Sequence, residues 1–171
     1  MAQTIYLDVF EAGFLGKVGI AVTSSGLRRL RMFVGEKGDF LGLNEAFQEG
    51  EYLFDLQQTA PFRDQISQFL RRELQSFSIP IDWSVYTPFQ EAVLRETFAI
   101  PFGETRSYGQ VAAAIGKPKA SRAVGQAEKS NQAPLVIPCH RVLGADGSLT
   151  GYGGPDNTDL KARLLAFESG K

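Results

Sequence analysis

Hydrophobic and polar residues alternate in the first third of the chain, a period that is typical of β-strands. Ile5, Leu7 and Val9 lie at alternate positions and predict a strand. Two apolar segments, KVGIAV and LRRLRMFV, flank the turn-forming residues TSSG, which predicts a β-hairpin from Lys17 to Val34. The region 35–58 has no clear period and gives no prediction.

Helical periods replace this alternation further along the chain. One helical face is predicted to consist of Phe62, Ile66, Phe69, Leu70 and Leu74. The stretch SFSIPIDWSVY contains prolines and has no helical period, so it is interpreted as a connection between an N-terminal domain and the rest of the chain. A second apolar stripe near the C-terminus consists of Leu160, Leu164 and Phe167.

Capping sequences mark helix starts in the second half. TPFQ supplies a capping threonine, proline at the first helical position and glutamine at the third, and predicts a helix through about Ala99. SYGQ predicts a helix from Tyr108 to Ile115, which Gly116 ends, and a further helix is expected from about Lys119 to Ala127. The pair, Tyr108 to about Glu128, is a candidate helix-turn-helix, with an ordinary packed helix pair as the other interpretation.

The length of 171 residues suits one large domain or two small ones. Apolar residues make up 43% of the chain, as in globular proteins, and no apolar run approaches the roughly 20 residues that cross a bilayer. The first residues do not resemble a signal peptide. A single cysteine excludes an intrachain disulfide, and one cysteine with one histidine is too few for an ordinary zinc site. We therefore expect a cytoplasmic protein without a metal.

Charge is distributed unevenly along the chain. Residues 101–141 contain six basic and two acidic side chains, a net charge of +4 in a chain whose total is −1. A basic segment in an acidic chain favours a polyanionic partner. A solvated surface is the alternative interpretation.

The candidate chemistry lies in PLVIPCHRVLGADGSLTGYGG, residues 134–154, which holds the one cysteine, Cys139, beside the one histidine, His140. A thiol reacts as its thiolate and needs a base or positive surroundings. Neighbours in a strand point to opposite faces, so a bend at Pro138 or a bridging water is needed for His140 to serve Cys139. Glu168 is one candidate among nineteen acids to orient His140. A buried, inert cysteine is the alternative.

The motif IPCHRV, together with the order and spacing of residues 87–168, resembles the C-terminal domain of the O6-alkylguanine-DNA alkyltransferases. The first 86 residues resemble this family's variable domain only loosely. The resemblance implies an α+β fold in two domains. Residues 1–80 would form an RNase H-like β-sheet domain, and residues 81–171 a mainly helical domain with the helix-turn-helix and an active-site cysteine turn.

The same resemblance implies an activity, direct-reversal DNA repair. The alkyl group of O6-alkylguanine in duplex DNA would pass irreversibly to Cys139, once per molecule, after the base has flipped out of the helix; activity on O4-alkylthymine is left open. His140 would draw off the thiol proton through a water, Glu168 would orient His140, and Asn131 would join the DNA-binding helices to the cysteine turn. Tyr108 would donate a hydrogen bond to guanine N3.

Further residues acquire roles by their match to the family's motifs. Arg122 would enter the base stack in place of the flipped nucleotide. The remaining residues implied to contact DNA are Lys119, Ala123, Gly125 and Ala127. The residues implied to line the substrate pocket are Pro134, Val142, Tyr152, Gly153 and Lys161, with carbonyls of Cys139 and Val142 on the guanine amino group and the Gly153 amide on O6.

The implied partner is double-stranded DNA containing O6-alkylguanine, with no cofactor, no metal and no membrane. A monomer in solution is expected, and cooperativity on DNA is left open. Thr150 stands where some family members have glycine, which leaves the tolerated alkyl size open. The alternatives are a non-catalytic lesion-sensing relative, a sequence-specific helix-turn-helix regulator and a cysteine hydrolase.

Overall fold

The computed structural model describes residues 3–33, 51–150 and 158–170. The chain divides into two compact units, Met1–Val85 and Tyr86–Lys171. The described residues of the first unit form a sheet and one long helix, and those of the second form mainly short helices, so the predicted mixed α+β class is confirmed. The identification of residues 1–80 as an RNase H-like domain stays a prediction.

The sheet of the first unit contains β1 (Thr4–Glu11), β2 (Lys17–Thr23), β3 (Gly26–Phe33) and β4 (Glu51–Leu53), in the order β3-β2-β1-β4. β2 pairs with β1 and β3 antiparallel, and β4 pairs with β1 parallel. The predicted hairpin is confirmed as β2 and β3, except for Val34, which lies outside the described residues.

Helix α1 (Leu56–Leu70) packs on β1 and β2 and begins at the N-cap Asp55, whose carboxylate accepts two backbone N–H bonds. Phe62, Ile66 and Phe69 are buried, as their period predicts, whereas Leu74 lies beyond the end of the helix. On the facing strand, Asp8 is buried because Oγ1 of Thr59 and Nη1 of Arg63 both donate to its carboxylate at 3.1 Å. A hydrogen bond and an ion pair therefore join α1 to the sheet.

The segment after α1 is held against the start of β3. Leu27 N donates to Pro80 O at 2.8 Å, and Asp82 N donates to Leu27 O at 3.0 Å. Gly26 has a φ of +127°, and a Cβ atom there would lie 2.4 Å from Pro80 O. Only glycine satisfies both the dihedral angle and the close approach.

Before its last helix, the described part of the second unit contains three α-helices and two short strands, in addition to a 3-10 turn at Cys139–Arg141. The helices and strands are α2 (Pro88–Phe98), β5 (Arg106–Ser107), α3 (Tyr108–Ala114), α4 (Ser121–Lys129) and β6 (Val142–Leu143). Thr87 and Ser107 form the two predicted capping boxes. α2, α3 and α4 bury one apolar cluster that includes Val93, Val111 and Val124. β5 pairs parallel with β6, which brings the start of α3 beside the chain that comes after Cys139.

The turn between α3 and α4 corrects one predicted boundary. Gly116, at φ +72°, ends α3 in a Schellman motif, in which Gly116 N donates to Ala113 O and Lys117 N donates to Ala112 O. The next helix begins at Ser121 instead of about Lys119, because Ala120 N donates back to Lys117 O and keeps the chain in a turn. Lys119 is therefore exposed in the turn before α4.

The last helix, α5 (Thr158–Ser169), corrects the predicted apolar stripe. Leu164 is buried as expected, but Leu160 and Phe167 are only partly buried. The other buried positions are Lys161 and Glu168. The inner face of α5 thus carries two charged side chains, which require partners inside the unit. None of the described helices is both long and apolar enough to cross a bilayer.

We expect Gly26→Ala to destabilise the first unit by about 3 kcal/mol or more, because the new methyl group meets the Pro80 carbonyl in a strained backbone conformation. Gly13→Ala is the matched control. Gly13 also has a positive φ, +57°, but nothing lies within 4 Å of its added Cβ, so a loss of about 1 kcal/mol is expected. Chemical unfolding followed by fluorescence of Trp83, the single tryptophan, measures both. Equal losses would contradict the role given to the Pro80 contact.

Candidate active site

Cys139, His140 and Arg141 form a single 3-10 turn, so Cys139 and His140 do not alternate as they would in a strand. Arg141 N donates to Pro138 O at 2.8 Å, and Val142 N donates to Cys139 O. The turn supplies the bend at Pro138 that the chemistry requires. Cys139, His140 and Arg141 are all buried.

Cys139 is 6% exposed, and its thiol accepts a hydrogen bond from Asn131 Nδ2 at 3.0 Å. Burial raises the pKa of this thiol to about 12, and the neighbouring Glu128 carboxyl acts in the same direction. Asn131 and Lys161 favour the thiolate but are outweighed. At neutral pH the thiol therefore keeps its proton, and reaction requires a base.

The His140 imidazole is fully buried, and its Nε2 lies 2.7 Å from Oε1 of Glu168. Burial lowers the pKa of His140, against the opposing effect of Glu168, so the ring is neutral. Because Glu168 is ionised, Nε2 carries the proton and donates it. Nδ1 then holds a lone pair, and within the part of the chain that the structure describes it has no hydrogen-bond partner. This nitrogen is the available base.

Glu168 on α5 receives donors from three directions. Arg141 binds both carboxylate oxygens, with Nε 2.9 Å from Oε2 and Nη2 2.9 Å from Oε1. Gly103 N donates to Oε2 at 3.0 Å, and His140 donates to Oε1. Burial alone would raise the pKa of Glu168, but the hydrogen bonds from His140 and Arg141 bring it down to about 2. The carboxylate is thus a stable anion behind the histidine.

Asn131 links the end of α4 to the cysteine turn. Its Nδ2 donates to Ile137 O at 2.9 Å as well as to the thiol, and its Oδ1 accepts from Ala133 N at 2.9 Å. Ile137 N donates to Ala133 O at 2.8 Å, and Pro134 forms a bridge to Ile137. The asparagine side chain therefore closes the loop that presents Cys139.

Tyr108 and Lys161 meet at one carbonyl. The Tyr108 hydroxyl donates to Thr150 O at 2.5 Å, and Lys161 Nζ donates to the same oxygen at 3.0 Å and to Val142 O at 2.6 Å. Burial raises the pKa of Tyr108 and lowers that of Lys161. At neutral pH the phenol retains its proton and is a hydrogen-bond donor.

The surface of α4 agrees only in part with the expected DNA interface. Arg122 and Ala123 are exposed at its first turn, and Lys119 is exposed just before it. Gly125 faces the Tyr108 ring, which a Cβ atom would contact at 3.9 Å. Ala127 is only 3% exposed because it packs in the core with Val124, and the expectation that it meets the groove is corrected.

The structure brings the thiol, imidazole, carboxylate, amide and phenol of the predicted site into one unit. Tyr152 and Gly153 lie outside the described residues, and Pro134 forms a bridge to Ile137, so the pocket role of all three stays a prediction. Two further buried side chains of this unit, Arg141 and Glu128, received no role from the sequence. Arg141 had a signal, since it directly follows the cysteine and histidine in IPCHRV. Glu128 was counted only as one acid in a basic segment.

Fold and site together define a class: a protein in which two helices joined by a tight turn belong to the same unit as a cysteine that is backed by a buried histidine and glutamate. Residues 88–170 match the family model described as 6-O-methylguanine DNA methyltransferase, DNA binding domain. The constitutive methylated-DNA–protein-cysteine methyltransferase of Bacillus subtilis is 40% identical over 154 residues, 90% of each chain. That of Methanosarcina acetivorans is 36% identical over 164 residues, 96% of this chain and 98% of its own. The chain belongs to the methylated-DNA–protein-cysteine methyltransferase family.

Solved structures agree over nearly the whole chain. The O6-methylguanine methyltransferase of Mycobacterium tuberculosis superimposes with a TM-score of 0.80 at 34% identity, covering 97% of this chain and 93% of that one. The same organism's OGT in complex with DNA superimposes with a TM-score of 0.79 at 34% identity, covering 96% and 93%.

The buried Glu128 carboxyl generates a prediction about stability. Burial raises its pKa from an ordinary value of 4.5 to about 8. The folded state therefore holds this proton more tightly than the unfolded chain. The resulting stabilisation is complete below about pH 4.5 and is lost as the pH rises towards 8. Relative to Glu128→Gln, the wild type should lose on the order of 3 kcal/mol of unfolding free energy between about pH 5 and pH 7.5.

Chemical denaturation followed by the helical circular dichroism signal measures this difference. The contributions of His140 and Glu168 are common to both proteins and cancel in the comparison. A gap between wild type and Glu128→Gln that stays constant across this pH range would contradict the assignment of the proton to Glu128.

Proposed function

We propose that the protein repairs DNA by direct reversal, transferring the alkyl group of O6-alkylguanine to the Cys139 sulfur. The observation that carries the proposal is a pair of hydrogen bonds in a chain of this family: Asn131 donates to the Cys139 thiol, and the neighbouring His140 is bonded to Glu168. The product is a thioether, which thiol exchange does not reopen. Because the chain has one cysteine, each molecule would act once.

The DNA partner is double-stranded DNA, reached through the helix-turn-helix. The alkyl group on O6 is out of reach within a duplex, so the base must be flipped out at a cost of a few kcal/mol. Arg122 would fill the gap in the stack, since it is a long exposed cation at the first turn of α4 next to the small Ala123. Lys119 would bind phosphate. The DNA complex of the mycobacterial relative supports this partner.

Thiol activation would use the buried network. The thiol proton passes through a water to Nδ1 of His140, which has no other partner in the described residues. The resulting imidazolium is stabilised by the Glu168 carboxylate, 2.7 Å from Nε2. Arg141 holds that carboxylate in place. Asn131, 3.0 Å from the sulfur, stabilises the thiolate.

The transfer step is a displacement at the alkyl carbon. A bond forms between Cys139 Sγ and that carbon while the bond from carbon to O6 breaks, and its electron pair goes to guanine. Tyr108 would donate a hydrogen bond or a proton to guanine N3. To do so, its hydroxyl would give up the hydrogen bond that it donates to the Thr150 carbonyl. The residues proposed to line the pocket are Pro134, Val142, Tyr152, Gly153 and Lys161.

The proposal also covers the oligomeric state, the location and the roles of the two domains. The protein would act as a monomer in the cytoplasm, on chromosomal DNA. Residues 81–171 would carry DNA binding and alkyl transfer, and residues 1–80 would be the variable RNase H-like domain.

Cys139→Ala should abolish alkyl transfer and retain DNA binding, because the sulfur is the acceptor and is buried, whereas Arg122 and Ala123 of α4 are exposed. The measurement is the intact mass of the protein after mixing with a short duplex containing one O6-methylguanine. Wild type should gain one methylene at one equivalent, on the Cys139 peptide. A wild-type protein that binds this duplex without any gain in mass would favour a lesion-sensing protein.

Arg122→Ala should slow transfer from duplex O6-methylguanine by about tenfold to a hundredfold, and leave transfer from the free O6-methylguanine base nearly unchanged, because the free base needs no flipping. Lys129→Ala is the matched control, since Lys129 is an exposed cation at the other end of α4. Single-turnover rates with both substrates measure the effect. If Arg122→Ala and Lys129→Ala slowed transfer from duplex equally, Arg122 would contribute only its positive charge and not an insertion into the base stack.

A further inference from the structure

The Glu128 carboxyl is buried in the second unit and has no part in the proposed mechanism. It lies on α4 and is 4% exposed. Its Oε1 is hydrogen-bonded to the Thr97 hydroxyl of α2, and its Oε2 has no partner among the described residues. Asn131 N donates to the backbone oxygen of Glu128 at 3.2 Å, and the Asn131 side chain donates to the Cys139 thiol. Glu128 is therefore three residues before the side chain that binds the sulfur, and half of its carboxyl is unsatisfied.

The hydrogen bonds around Thr97 indicate where the Glu128 proton lies. Thr97 Oγ1 faces two acceptors, Glu128 Oε1 and Val93 O, the latter at 3.1 Å. A hydroxyl has one proton to donate. Both contacts are satisfied when Glu128 is a neutral acid that donates to Thr97 while Thr97 donates to Val93. An ionised carboxylate would leave a buried charge with one donor at most, which is strongly unfavourable.

The charge on Glu128 bears directly on Cys139. Among the described residues, the titratable groups that interact electrostatically with Glu128 are the Cys139 thiol, the Lys161 ammonium of α5 and the Tyr108 phenol of α3. Among the causes that raise the pKa of Cys139, the effect of Glu128 is second only to burial, and Lys161 opposes it. A carboxylate at this position and a thiolate at Cys139 therefore disfavour each other.

Building on the proposed function, we propose that Glu128 is a positioning residue for alkyl transfer: as a neutral acid it keeps negative charge away from the reacting sulfur, and on ionisation it holds the thiol in its protonated, unreactive form. With a pKa of about 8, Glu128 loses its proton in the range where a thiol would otherwise become more reactive. The gain in reactivity of Cys139 with rising pH is thereby reduced.

The first experiment measures thiol reactivity without DNA. Cys139 is the one cysteine, so the rate of alkylation by iodoacetamide reports on it alone. Wild type, Glu128→Gln and Glu128→Leu are compared from about pH 6.5 to pH 9.5. Glu104→Gln is the matched control, because Glu104 is the other acid of the basic segment and is exposed. From the low to the high end of this pH range, the alkylation rate should rise about tenfold more in the two Glu128 variants than in wild type and Glu104→Gln. This factor corresponds to a difference of about one unit in the pKa of the thiol.

The second experiment repeats the series with methyl transfer from duplex O6-methylguanine under single-turnover conditions. The same divergence above about pH 8 is expected. Identical pH dependence in all four proteins, or a uniform slowing of the Glu128 variants at every pH, would overturn the proposal, since a purely structural role gives the latter. Absence of methyl transfer from wild type at every pH would overturn the proposed function instead, and the iodoacetamide series distinguishes the two results.

Discussion

The candidate site depends on the ion pair between Glu168 and Arg141. A carboxylate that is 6% exposed is stable only with a full set of donors, and Glu168 has them from Arg141, His140 and Gly103. These donors come from the cysteine turn and from the loop after α2. The pair therefore fixes α5 against the turn and orients the imidazole at the same time. An ion pair at the surface would do neither, because solvent would screen it and the side chains would remain mobile.

Two buried glutamates in one unit illustrate how partners decide protonation. Burial favours the neutral form of both Glu128 and Glu168. Glu168 faces a guanidinium, an imidazole and a backbone N–H, which bring its pKa down to about 2. Glu128 has one hydroxyl as its hydrogen-bond partner, and burial outweighs both this bond and the attraction of the Lys161 ammonium, so its pKa rises to about 8. The anion thus lies beside the histidine that we propose removes the thiol proton, while Glu128, whose charge acts on the thiol, stays uncharged at neutral pH.

Local chemistry explains which parts of the fold could be predicted from the sequence. The caps at Thr87 and Ser107 and the glycine stop at Gly116 depend on neighbours within a few residues, and they were predicted to within one residue. Ser121 begins α4 without a side-chain cap, so that boundary had no local signal and was misplaced by two residues. On α5 the burial of Lys161 depends on carbonyls elsewhere in the chain, and an apolar period does not detect it.

In the candidate site, too, local interactions could be predicted from the sequence and distant ones could not. Cys139 and His140 are adjacent in sequence, so their chemistry was visible directly, whereas the partner of His140 lies 28 residues away and was selected among nineteen acids only by family resemblance. Glu128 had no such guide. Its burial depends on Thr97, 31 residues earlier, and composition treats any glutamate as a surface charge. A buried acid in a basic segment leaves the surface of that segment more positive than its formal charge, because a neutral Glu128 contributes nothing to the field that DNA meets. Protonation of Glu128 removes a negative charge near the sulfur, and it therefore also strengthens the electrostatic attraction of this unit for DNA.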